Sequence, residues 1–251
     1  MGCCAWSARS PSPGLARRDV VEGFRLPASG ELRHNRHFMP DRSAVHHPLF
    51  ARLWSLMSRH EPANVSRDRG KLLAGLSGRV IEIGAGTGSN FAHYPATVEY
   101  VIAVEPEPYL RERAHAAAAG AAVRIEVVDG VADRLPAEDA SFDSAVACLV
   151  LCSVPDQAGA LAELRRVLRL GGELRFYEHV LSDRPVVALS QRAVDRLFWP
   201  RAFGGCHTAR DTPAAIAAAG FEVEAQRLTR VSSIPIELPV SLHAIGRARR
   251  C

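Results

Sequence analysis

The sequence predicts an α/β fold, a mostly parallel seven-stranded sheet with helices on both faces. Three observations predict it. Short apolar runs rich in β-branched residues recur through residues 78–251, each bounded by glycine, proline or polar residues. Stretches with apolar residues three and four apart lie between the runs, so strand and helix alternate. The third is a glycine-rich break at the end of the first run, Val80-Ile81-Glu82-Ile83-Gly84-Ala85-Gly86-Thr87-Gly88. A second run, Val101-Ile102-Ala103-Val104, ends on Glu105 and Pro106. In an open parallel sheet, ligands bind at the carboxyl ends of such strands.

The elements follow in order. Residues 1–38 mix Pro, Ser, Gly and Arg without periodicity and read as a disordered lead-in, so the functional unit is expected to begin near Met39. A helical cap is expected over 39–77. Phe50, Leu53, Trp54 and Met57 fall at helical spacing and give an amphipathic helix over about 47–60. Two roles are open for it: covering a ligand, or closing one side of the sheet. The main domain, 78–251, has strands expected at 79–83, 100–104, 123–128, 143–149 and 172–178. Helices are expected at 88–93, 108–119 and 156–168. Leu161, Leu164, Val167 and Leu168 form the apolar face of the last, and Gly171-Gly172 ends it. A further helix spans 212–220, with Thr212 as cap and Pro213 at its first position. Runs at 221–228 and 242–247 complete the sheet.

Composition narrows the function classes. Hydrophobic residues make up 47% of the 251, which excludes global disorder. The net charge of +4 carries no basic stripe interleaved with aromatics, so no nucleic-acid partner is expected. The longest apolar run, 145–154, is about half the ~20 residues of a membrane helix. The N-terminus lacks the apolar core of a secretory signal, and Trp6 stands where myristoylation needs Ser or Thr. No membrane span is expected, and a reducing cytoplasm suits the cysteines best. Those six cysteines show no Cys-x-x-Cys pair and read as neither a metal nor a disulfide framework, with Cys206 standing alone.

Glycine at 84, 86 and 88 permits backbone angles closed to other residues and lets a ligand approach the main chain. Glu105, at the end of the neighbouring strand, is placed to accept hydrogen bonds from both hydroxyls of a ribose. The spacing is Gly-x-Gly-x-Gly after an acidic residue, not the Gly-x-Gly-x-x-Gly that sets a pyrophosphate on a helix N-terminus. A nicotinamide oxidoreductase is thereby disfavoured. The element resembles motif I of the class I S-adenosylmethionine (SAM) methyltransferases. That resemblance implies a Rossmann-like fold and SAM as cofactor. It places Glu82, Gly84, Ala85, Gly86, Gly88, Glu105 and Pro106 around the methionine and ribose. Glu82 either orients the turn or reaches the methionine amino group through water. Residues 128–136 with Ser141-Phe142-Asp143 resemble the block that surrounds the adenine, and bring Ala132 and Asp133 there. Val131 departs from that block, whose aspartate at this position reads the adenine amino group. The contact then falls to Asp133 or to the backbone.

A narrower resemblance joins Gly88-Ser89-Asn90-Phe91, Tyr94-Pro95, Leu149 to Val154, Glu178-His179-Val180, Gly204-Gly205-Cys206 and Leu238-Pro239-Val240. Together these resemble the methyltransferase-like proteins that S-methylate small alkyl thiols, and their bacterial relatives. The implied acceptor is a small molecule. Leu149 ends strand four beside the expected sulfonium. His179, at the end of strand five, is the candidate to take a proton, although a hydrogen-bonded loop histidine is the plainer reading. Cys206 and His207 are candidates to line the acceptor pocket. Cys148 and Cys152 read as packing. An O- or C-methyltransferase of quinone or secondary metabolism, and a SAM-binding module without turnover, remain as alternatives.

Overall fold

The computed structural model describes residues 46–231 and 238–251. The expected lead-in at 1–38 and the start near Met39 lie outside the described residues. Two helices open the chain, α1 (Pro48–Arg59) and α2 (Ala63–Leu73), followed by β1 (Gly78–Ile83) and a 3₁₀ turn at Phe91–His93. Next come β2 (Val98–Val104), α3 (Pro108–Ala118), β3 (Arg124–Val128), β4 (Phe142–Cys148), α4 (Gln157–Val167) and β5 (Leu168–His179). The last part holds α5 (Pro185–Leu197), α6 (Trp199–Ala202), α7 (Thr212–Ala218), β6 (Phe221–Arg230) and β7 (Leu242–Arg250).

The seven strands form one sheet in the order β3-β2-β1-β4-β5-β7-β6. β1 pairs in parallel with both β2 and β4, which makes their boundary the switch point. The sheet is mixed, because β7 runs antiparallel to both β5 and β6. Alternation along the strands divides the core between two faces. Ile81, Ile83, Ile102, Ala145 and Phe176 pack with Leu161 and Leu164 of α4 and Ile216 of α7. Val80, Val101, Val146 and Tyr177 pack with Val65 and Leu72 of α2 and Ala114 of α3. Each large apolar side chain buried this way contributes roughly 1.5–3 kcal/mol. A one-residue slip of β1 would exchange its two faces, so the register that sets Glu82 and Gly84 is fixed by burial.

Several expectations are corrected. The helix expected at 88–93 is only a 3₁₀ turn, because Gly86 and Gly88 hold φ of 59° and 82° and keep the chain from winding sooner. The cap of α7 is Asp211, whose carboxylate accepts from the Ala214 N–H, and Thr212 opens the helix proper. α2 falls within the helical cap expected over 39–77, whereas α5 and α6 are additional to the expected helices. The cause is visible in α5, which buries Ala188 and Gln191 and leaves Val186, Leu189 and Leu197 exposed. α1 behaves alike: Ala51 and Ser55 are buried, while Leu53 and Met57 of its expected apolar face are exposed. Among the described residues no helix is long and apolar enough to cross a membrane.

Candidate active site

β1 and β2 deliver the first half of the site. After Ile83 the chain turns through Gly84 at φ 61°, a left-handed angle that favours glycine, and a Cβ there would meet Val150 Cγ2 at 2.3 Å. Gly86, buried and at φ 59°, would carry a Cβ 3.3 Å from Trp54 Nε1. The buried Ala85 donates its N–H to Val104 O at 3.2 Å, which ties the turn to the end of β2. Glu105 stands beside it. Its Oε2 accepts from Gly86 N at 2.7 Å and its Oε1 from Glu107 N at 2.9 Å. Burial raises its carboxyl above the usual range, against those two N–H bonds. Each oxygen still keeps a lone pair for a hydroxyl. Pro106 is half-buried, and its carbonyl accepts from Arg111 at 3.0 Å.

Glu82 is occupied by the protein itself. Its carboxylate accepts from Asn90 Nδ2 at 2.8 Å and from Tyr94 Oη–H at 2.7 Å. Arg69 of α2 bonds Asn90 Oδ1 at 2.9 Å and Cys148 Sγ at 3.0 Å, which extends the network. Burial pushes the Glu82 carboxyl up to about 7, with Tyr94, Asn90 and Arg69 acting against it. Cys148 likewise rises to about 12 by burial and stays a protonated, packed thiol. Sequence reasoning named Asn90 and Tyr94 only within the narrower resemblance, without a role, and missed Arg69. A charged residue inside a buried strand was the available signal, since such a group needs partners.

Beyond β3, Ala132 is half-buried and Asp133 exposed, in a turn closed by a bridge between Val131 and Arg134. Asp129 meets Arg111 Nη1 at 3.2 Å. At the end of β4, Leu149 holds φ 59°, a left-handed angle rare for a branched residue and costing about 1–3 kcal/mol. Its N–H bonds Tyr177 O at 2.7 Å, so the strained turn is fixed to β5.

The loop after Leu149 is held by Glu178. This fully buried carboxylate accepts from Val150 N and Leu151 N at 3.0 Å and from Cys152 N at 3.1 Å. Arg210 adds bonds to Leu151 O at 2.7 Å and Val154 O at 2.8 Å. His207 N–H donates to Cys152 O at 2.8 Å. α5 secures the segment that follows Cys206. Asp195 accepts from Thr208 N and Ala209 N at 2.8 and 3.0 Å and from Thr208 Oγ1 at 2.9 Å, and it lies 3.7 Å from His207 Nδ1. Gln191 donates to Val180 O, Thr208 O and Pro239 O.

This scaffold brings Cys152, His179 and Cys206 together. The two sulfurs lie 3.8 Å apart, and His179 Nδ1 is 3.5 Å from each. Cys206 therefore does not stand alone, as its sequence position implied: the 54 residues separating it from Cys152 hid the adjacency. The Cys152 thiol against Cys206, with His179 beside it, draws Cys206 down to about 5, and Cys152 moves up in turn. His207 sits half-buried at the edge of this cluster. α1 bridges the two halves. Trp54 meets Gly86, Phe50 meets Gly204, and Thr87 Oγ1 bonds Ser58 Oγ at 3.1 Å.

A sequence model of the methyltransferase domain matches residues 81–176. Human thiol S-methyltransferase TMT1B is 35% identical over 185 residues, covering 71% of this chain and 74% of that protein. Human thiol S-methyltransferase TMT1A is 34% identical over 153 residues, covering 59% and 62%. A SAM-dependent methyltransferase from Thermotoga maritima superposes with a TM-score of 0.59 over 81% of this chain and 99% of its own, at 23% identity. The glycine turn without a pyrophosphate cradle, and a buried carboxylate ending β2, fit that cofactor. Geometry and relatedness agree that the protein is a SAM-dependent methyltransferase acting on a small molecule, and that it belongs to the family containing the thiol S-methyltransferases TMT1A and TMT1B.

Proposed function

We propose that this enzyme methylates the sulfur of a small thiol. The observation that carries the reading is the side-chain set beyond the ends of β4 and β5, two cysteine sulfurs and an imidazole in mutual contact. The buried carboxylate beside them, Glu178, is committed to three main-chain N–H groups and is no free base. A free thiol near pKa 8.5 is already a few per cent thiolate at neutral pH. A phenol near 10 is roughly thirtyfold less ionised, and a carbon acid needs a positioned base. The thiol activity of TMT1B and TMT1A supports the same acceptor.

When bound, SAM supplies a methyl group made electrophilic by its sulfonium charge. Glu105 would hold the ribose hydroxyls, with Pro106 beside it. Gly84, Ala85, Gly86 and Gly88 would present main chain to the methionine end, and Glu82 would brace that turn through Asn90 and Tyr94. Ala132 and Asp133 would flank the adenine, and Leu149 the sulfonium. His179 takes the acceptor's proton or offsets its thiolate charge, while Cys206 and His207 line the acceptor side. Residues 46–77 act as a cap, α1 excluding water where Trp54 and Phe50 meet the two halves. The main domain is 78–251. The free thiols Cys152 and Cys206 support a reducing compartment, the cytoplasm.

The test uses methyl-deuterated SAM with a mixed panel of small thiols, phenols and quinols, read by mass spectrometry. Label on thiols alone is expected. Label on oxygen or carbon overturns the acceptor and leaves the cofactor, whereas SAM binding without any labelled product indicates a module without turnover.

A further inference from the structure

The cluster of Cys152, His179 and Cys206 has the dimensions of a metal site. Zinc bonds sulfur at about 2.3 Å and imidazole nitrogen at about 2.0–2.1 Å, at tetrahedral angles. Those values require sulfurs about 3.8 Å apart and each sulfur about 3.5–3.6 Å from the nitrogen. The three edges observed are 3.8, 3.5 and 3.5 Å. They describe one face of a coordination tetrahedron. A disulfide would need the sulfurs nearly 2 Å closer, at about 2.05 Å.

Three further features suit a metal. The donors come from three segments, and each segment is held by hydrogen bonds: Cys152 by Glu178 and Arg210, His179 at the end of β5 pairing with His243, and Cys206 through Gly205 and the α5 contacts. Charge closes as well, since two thiolates and a neutral imidazole cancel a divalent cation and leave no net charge in a buried place. Among the described residues no fourth His, Cys, Asp or Glu joins the group. Three protein ligands with an open fourth position are the arrangement of catalytic zinc sites.

We propose that Cys152, His179 and Cys206 bind one zinc ion whose fourth position receives the acceptor sulfur. The metal site stands on the geometry; the role of its open position rests on the thiol reading above. On entry, the thiol sulfur displaces a bound water and forms the zinc–sulfur bond. Its S–H bond breaks with the electron pair left on sulfur, and the proton passes to solvent. With the metal bound, His179 would serve as a ligand through Nδ1 in place of the proton-accepting role given above, and no separate base is required.

The full chain would be purified, loaded with zinc or cobalt(II), and studied by X-ray absorption and visible spectroscopy. One equivalent is expected, with a shell of two sulfurs and one nitrogen, and with the intense visible bands of tetrahedral cobalt. Cys152→Ser and Cys206→Ser are each expected to weaken binding roughly 100-fold, since an outer-shell change alone costs 10–100-fold. Cys251→Ser, at an exposed thiol away from the cluster, is expected to keep the metal. The wild-type shell answers the question even where a variant fails to fold. Absence of bound metal, a different ligand set, or a Cys152–Cys206 disulfide in freshly purified protein overturns the site. Adding a small alkyl thiol is expected to bring a third sulfur into the shell. If it does not, the open-position role is overturned. Labelled oxygen or carbon with an intact two-sulfur shell defeats the thiol reading alone, and full thiol methylation by metal-free protein defeats the metal role alone.

Discussion

Glu105 is the side chain that ties the glycine turn and is proposed to hold the ligand. Its two oxygens hold the N–H groups of Gly86 and Glu107, and the lone pairs left over suit the two hydroxyls of a ribose. Hydrogen bonds to a charged group contribute ~1.5–3 kcal/mol each. Glu105→Ala is therefore expected to weaken SAM binding roughly 100-fold or more, measured by calorimetry. Thermal unfolding recorded in parallel separates lost binding from a lost turn, and unchanged affinity would contradict the assignment. The position of Glu105 was legible because it ends an apolar run. The partners of Glu82 were not, since Asn90 and Tyr94 return to it across the glycine turn and Arg69 arrives from another helix.

At the scale of elements, the strands followed their pattern and the helices around the site did not. β1, β2 and β4 are buried on both faces over their later residues, so each reads as an apolar run. α1 and α5 bury small or polar groups instead, Ala51 and Ser55, Ala188 and Gln191, and α2 buries Asp68 and Arg69 beside its apolar Val65, Leu72 and Leu73. Their inward faces carry hydrogen bonds to loops, which periodicity of apolar residues does not report. The segment before Cys206 depends on one such packing. Gly205 holds φ 81°, and a Cβ there would stand 2.8 Å from the main-chain oxygen of Ser153. Gly205→Ala is expected to cost about 1–3 kcal/mol in urea unfolding and to lower kcat/KM at least tenfold, because the Cys206 segment must move off the Cys152 loop. Full activity in that variant would show that the close approach of the two segments is dispensable.

For the whole molecule, buried carboxylates set how stability varies with pH. The Glu82 carboxyl is raised by burial from its ordinary 4.5 to about 7. Between those values the folded protein keeps the proton and the unfolded chain releases it, so stability falls as pH rises. The contribution is present in full below 4.5 and is lost by the time pH has passed 7, a change of roughly 3 kcal/mol. Glu105 and Glu178, also raised by burial, act in the same direction. Glu82→Gln keeps a partner for Asn90 and for Tyr94 and carries no charge. Chemical denaturation at several pH values is expected to show the wild-type stability falling relative to that of the variant between pH 4.5 and 7. Parallel curves for the two proteins would mean that Glu82 is ionised throughout.

The sequence by itself determined the alternating architecture, the two strand ends that meet at the switch point, and the glycine turn facing Glu105. These are local properties: burial on both faces writes apolar runs, and left-handed angles demand glycine. It also carried enough likeness to indicate the cofactor. Only the tertiary structure decided that β7 runs against its neighbours, since an apolar run carries no direction. It alone brought Cys152, His179 and Cys206 into contact, because their distances depend on where β4, β5 and the Cys206 segment converge. The loops that make that convergence are fixed by Glu178, Arg210, Gln191 and Asp195 through main-chain hydrogen bonds. Bonds of that kind leave no periodic mark on a sequence.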